Sequence, residues 1–154
     1  MKKFLAIAAL LFSTTAFAGD LPDPTLTPGA VNPNVTQDNI KSTICVSGWT
    51  KTIRPSVLYT NKLKAQQMKD MSLTGAMNLY EEDHLISLEL GGNPTDTKNL
   101  WPQLWNPPSG WGAHKKDVVE TRLNKLVCSG KMTLADAQHM IATDWISAYR
   151  QTQK

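Results

Sequence analysis

The sequence predicts a small α+β domain, mainly helical and closed by one disulfide. Two C-terminal segments carry apolar residues at helical spacing, Val119, Leu123, Leu126 and Val127 in one, and Leu134, Ala137, Ile141, Trp145 and Ala148 in the other. Each is the stripe of a helix with one buried face. Ahead of them, Leu85 to Leu90 alternates and runs into Gly91-Gly92 and then Asn93-Pro94-Thr95-Asp96, which reads as a short strand followed by a turn cluster. Cys45 and Cys128 are the only cysteines of the chain.

Residues 1–18 read as an export segment. Lys2 and Lys3 supply a positive start, Phe4 to Phe12 is an apolar run too short to span a bilayer, and Ala16-Phe17-Ala18 fits the small-residue cleavage rule, which places the cut after Ala18. The expected localisation is periplasmic or secreted, with no membrane span. The formal charge of +3 includes Lys2 and Lys3 and no acid from this segment, so the mature chain carries +1. That excludes a strongly basic protein, and any nucleic-acid contact must come from a local patch.

The remaining chain, about 136 residues, suffices for one domain with a modest core. Residues 19–37 hold Pro22, Pro24, Pro28 and Pro33 and form a Pro-rich extended arm, because each proline removes a donor and restricts its predecessor. The arm is expected to wrap the surface or stay mobile. Residues 38–154 form the domain proper. Thr36 is placed to cap a short helix. In a chain that leaves the reducing compartment, Cys45 and Cys128 are the natural disulfide pair; the rival reading, a metal or catalytic thiol, lacks CxxC spacing. Trp49 to Arg54 alternates and is β-rich up to Pro55, which predicts a short strand. Asn61 to Met71 predicts a helix capped by Thr60, and its Lys62, Lys64 and Lys69 offer a basic face.

The segment Tyr80-Glu81-Glu82-Asp83-His84 crowds three acids and a histidine directly before the alternating stretch. A carboxylate beside an imidazole can bind a hard cation or orient a general base, although an Asp-His pair alone is more often a solvated strand end. Asn99 returns after the turn cluster, where an amide can bond backbone groups that a loop leaves unpaired. Trp101, Trp105 and Trp111 with Pro102, Pro107 and Pro108 form a rigid aromatic loop, able to stack on bases or to cap the core. A helix then starts at Ala113 and stops near Gly130. His114, Asp117 and Glu120 follow one another at i, i+3 and i+6, so His114 and Asp117 point roughly alike. In the last helix Thr133 with Asp136 resembles a capping box, and His139 lies off the buried stripe.

Asp83-His84, Leu88, Gly91-Gly92, Asn99-Leu100 and His114 at the head of a helix together resemble the HNH endonuclease motif. The resemblance covers roughly Glu81 to Leu126. Ile44-Cys45, Gly48-Trp49-Thr50, Arg54-Pro55 and Val127-Cys128-Ser129-Gly130 extend it to small exported bacterial proteins that carry the motif. It implies a ββα-metal finger and a metal-dependent endonuclease that hydrolyses phosphodiester bonds of nucleic acid, DNA before RNA. In that scheme His84 is the general base and Asn99 braces its loop. Asp83 and His114 hold one divalent ion, Mg²⁺, Mn²⁺, Ni²⁺ or Zn²⁺. His114 follows Asn99 by fifteen residues across an insert, which leaves Asp117 as the other candidate for the last ligand. Arg54, Lys115 and Lys116 are the expected substrate contacts, and no obligate protein partner is implied. The alternative is a non-catalytic periplasmic binding or structural protein that retains the fold.

Overall fold

The computed structural model describes residues 20–153; the expected export segment and its cleavage site lie outside the described residues. Four helices and a two-stranded antiparallel sheet make up the domain, with short 3₁₀ turns between them: α1 Trp49–Ile53, α2 Val57–Asp70, β1 Tyr80–His84, β2 Leu100–Leu104, α3 Ala113–Cys128 and α4 Leu134–Gln151. This is the small α+β domain that the sequence predicts, and Cys45 and Cys128 form its disulfide. The bond ties the end of α3 to the segment before α1, across 83 residues.

The core lies between α3 and α4. Val119, Leu123 and Val127 of α3 meet Leu134, Ala137, Ile141, Trp145 and Ala148 of α4, the two stripes read from the sequence, with Leu126 only partly buried at the margin. Each apolar side chain moved from water into such a core contributes roughly 1.5–3 kcal/mol. Thr133 caps α4 by accepting from the Asp136 amide at 3.1 Å. Within α4 the backbone leaves helical geometry at Asp144, whose carboxylate accepts from the amides of Ile146 and Ser147 and so caps the last turns anew.

Three local expectations are corrected. The strand lies at Tyr80–His84, one step earlier than the alternating residues, and pairs with β2 in the register Tyr80↔Leu104, Asp83↔Trp101 and His84↔Leu100. Leu85, Ile86, Leu88 and Leu90 are all buried, with Leu88–Leu90 in a 3₁₀ turn; they sit under α3, α4 and the N-terminal arm, so their burial has no strand period. Trp49 to Ile53 is a short helix and not a strand. It ends where Pro55 holds Arg54 extended. The cap of α2 is Ser56, which accepts from Tyr59 N at 3.3 Å, four residues before the predicted Thr60.

The Pro-rich arm is bonded into the site. Gly29 N donates to Lys98 O, Asn32 N to Gly91 O and Asn93 N to Ala30 O. Asp20 O accepts from the Trp145 indole, so the arm crosses from α4 to the loop between the strands.

Candidate functional site

β1 is the element on which the site is built. It is covered by α2 on one side and α3 on the other, so its charged residues are buried: Glu82, Asp83 and His84 are each less than a tenth exposed. Successive strand side chains point to opposite faces. Asp83 therefore turns toward α3 and meets Lys116, while Glu82 and His84 line a cleft of about 300 Å³ with Arg54, Lys64 and Trp105.

The loop from Leu85 to Asn99 aims His84, and Asn99 holds the loop. Asn99 is fully buried; its Oδ1 accepts from Ile86 N at 2.9 Å and Ala30 N at 3.3 Å, and its Nδ2 donates to Ile86 O and Asn93 O, each at 3.0 Å. Every hydrogen-bonding position of the amide is used. Gly92 is required by the same packing, since a Cβ there would lie 1.7 Å from Ile86 O. Two helices pin the loop from behind: Asn124 of α3 donates to Glu89 O, and Gln138 of α4 to Leu90 O.

This loop brings Pro94 O to 3.0 Å from His84 Nε2. A carbonyl only accepts, so Nε2 carries a proton and donates it, and in the neutral ring Nδ1 keeps a free lone pair. Burial, the largest influence, pushes the imidazole below its ordinary range, against the Pro94 hydrogen bond and the charge of Asp83. The His84 ring is thus oriented by Pro94 O and favoured in its neutral form.

On the other face, Lys116 of α3 is completely buried. Its Nζ lies 2.8 Å from Asp83 Oδ2, 2.5 Å from Glu120 Oε1 and 2.7 Å from His84 O. An ammonium has three N–H groups, and three acceptors surround this one. Burial works against its charge, but Asp83 and Glu120 outweigh that and hold the ammonium above the ordinary lysine range. Burial likewise raises Glu81 and Glu120, with Asp83 adding to both and Lys116 opposing. Glu82, in the cleft, is pushed up to about 8 by burial despite Lys64, and neither of its carboxylate oxygens has a hydrogen-bond partner.

The predicted residues separate into three groups. His84, Asn99 and Arg54 come together around the cleft and its loop. Asp83 joins Lys116 and Glu120. His114 and Asp117 lie on the exposed part of α3, with Nδ1 4.0 Å from Oδ2 and side chains 62% and 56% exposed, and the His114 ring packs against Trp105 with centroids 5.0 Å apart. Lys115 stands over Trp111 and Tyr149, 4.6 Å and 5.4 Å from their centroids. Lys116, expected to meet substrate, is corrected to a completely buried ion-pair partner of Asp83 and Glu120. Of the basic face read on α2, Lys64 is buried and donates to Tyr80 O at 2.7 Å, while Lys62 and Lys69 are exposed.

A divalent ion needs several donors converging at about 2.0–2.6 Å. Among the described residues no group of three His, Cys, Asp or Glu side chains is gathered to hold one. Asp83 spends its Oδ2 on Lys116, and His114 is turned to Trp105. The ligand set implied by the resemblance does not fit an ion as these side chains stand.

The internal roles of Lys116 and Glu120, and the unpartnered burial of Glu82, are what the sequence reading did not assign. A signal for the first two was present: Lys116 falls three residues before Val119 and seven before Leu123, on the buried stripe, with Glu120 one turn on. A lysine on an apolar stripe requires a buried acid. Comparison with family models, with curated proteins and with solved structures finds no match.

Proposed function

We propose that this protein is an exported phosphodiester hydrolase acting on nucleic acid, with His84 as general base. The observation that supports this most is the state of His84: buried at the edge of a cleft, favoured in its neutral form, its Nε2 held by Pro94 O and its Nδ1 free. A base of this kind takes a proton from the attacking water and contributes about 10²–10⁴-fold to the rate. Arg54 lines the same cleft, exposed and close enough for its charge to act on His84. Its guanidinium offers a fork of donors to a phosphate. Trp105, partly exposed on the cleft wall, offers a face for a base. Two antiparallel strands followed by α3, with Asp83 and His84 at the strand end and Asn99 bracing the loop, agree with the arrangement that the HNH resemblance implies.

The test is cleavage of supercoiled plasmid, and separately of RNA, by the oxidised protein lacking residues 1–18. It is run in EDTA and with Mg²⁺, Mn²⁺, Ni²⁺ or Zn²⁺ added one at a time, beside His84→Ala and His139→Ala. Cleavage lost in His84→Ala and kept in His139→Ala supports the reading. No cleavage of either polymer in any condition, or cleavage that His84→Ala leaves unchanged, overturns it.

A further inference from the structure

We propose that Lys116 is the permanent cation of this site: its ammonium occupies the seat between Asp83 and Glu120 that a divalent ion would otherwise fill. Four observations carry it. The Nζ sits 2.8 Å from one carboxylate and 2.5 Å from the other, a placement that brings positive charge to two acidic oxygens as a metal would. It also holds the carbonyl of His84 at 2.7 Å, so the same cation that neutralises Asp83 fixes the end of β1 from which the imidazole projects. The side chain is 1% exposed, so the seat beside the two carboxylates is filled by the ammonium while Lys116 stays. The remaining expected ligands, His114 and Asp117, lie on the solvent side of α3.

The physical logic is an exchange of one desolvated cation for another. A metal ion is lost when its chelator is stronger, whereas a lysine is covalently part of the chain and cannot be removed. Two carboxylates buried with neither cation would repel each other and lack solvation. Lys116 is therefore a positioning residue for His84. The inference goes beyond the proposed hydrolysis, because ion binding reads it with no substrate present.

The experiment is a titration of the metal-stripped, oxidised protein with Mn²⁺, reading free Mn²⁺ by electron paramagnetic resonance, together with thermal unfolding in EDTA and in excess Mn²⁺. The wild-type chain is expected to bind no stoichiometric Mn²⁺ and to melt at the same temperature in both. Lys116→Met empties the seat. That variant is expected to melt lower in EDTA, to take up one equivalent of Mn²⁺ with partial recovery of its melting temperature, and to lose that uptake when Asp83→Asn is added. Wild-type protein that binds one equivalent of Mn²⁺, melts lower in EDTA and loses both properties in Asp83→Asn overturns the proposal. The wild-type titration decides the matter even where Lys116→Met does not fold. Either result leaves the role of His84 to the cleavage assay.

Discussion

Replacing Asn99 with Ala removes four hydrogen bonds from one fully buried side chain. Two of the orphaned groups, the amide and carbonyl of Ile86, are buried and gain no substitute, at roughly 1–3 kcal/mol each. The other two, on Ala30 and Asn93, lie nearer the surface, where water replaces the amide at little cost. The expected loss is therefore about 2–6 kcal/mol, a large share of the roughly 5–15 kcal/mol that holds a domain together. Urea unfolding of the oxidised protein at neutral pH, followed by tryptophan fluorescence, measures it as a lower midpoint with an unchanged slope. Asn99→Asp separates hydrogen bonding from volume. It keeps the shape and the two acceptor contacts, loses both donors and buries a charge, so its loss should match or exceed that of Asn99→Ala and shrink in acid. A loss below about 1 kcal/mol in Asn99→Ala would refute the reasoning, since it would mean that the loop satisfies its own backbone without the amide.

Other outcomes follow from the same geometry. Cleavage should need the neutral imidazole, so kcat/KM should fall as pH drops through the His84 pKa, with a midpoint below the ordinary value of 6.5; a midpoint above it would contradict the burial argument. Glu82 keeps its proton up to about 8 when folded and releases it near 4.5 when unfolded. The folded chain then holds the extra proton between those values, and stability should decline as pH rises across that window. Glu82→Gln should flatten the decline and gain most on wild type in alkaline solution, as read by urea midpoints across the pH range. Gly92→Ala should cost about 3 kcal/mol or more, given a Cβ placed 1.7 Å from Ile86 O, and low yield of folded protein or a collapsed midpoint checks it. Removing the disulfide with Cys45→Ala/Cys128→Ala should lower stability by up to about 4–5 kcal/mol, from an 83-residue separation in the chain-entropy description; an unchanged urea midpoint would contradict it.

Helical periodicity, cysteine pairing and the Asn99 brace were determined by the sequence itself. The stripes of α3 and α4 read correctly because each helix buries one face against the other and leaves the rest in water, so pattern and packing agree. The disulfide was legible because two cysteines allow one pairing. Asn99 was legible because a glycine-rich loop leaves backbone groups that a nearby amide can satisfy. The strand was not legible. β1 is covered on both faces, so Glu81, Glu82 and Asp83 occupy a buried strand with no apolar alternation, and the leucines that do alternate fill a loop enclosed on all sides. The division of the charged cluster was likewise decided by tertiary structure. Asp83 and His84 are neighbours in the chain, yet strand alternation turns Asp83 toward α3 and His84 toward the cleft beside α2. Whether Asp83 faces water, a metal or an ammonium depends on which residue of a helix more than thirty positions later lands opposite it. That residue is Lys116. Local spacing carries the period of an element and the atoms available for a bond; which distant charge meets a buried carboxylate is settled only when the helices dock, because desolvation leaves it no solvent to fall back on.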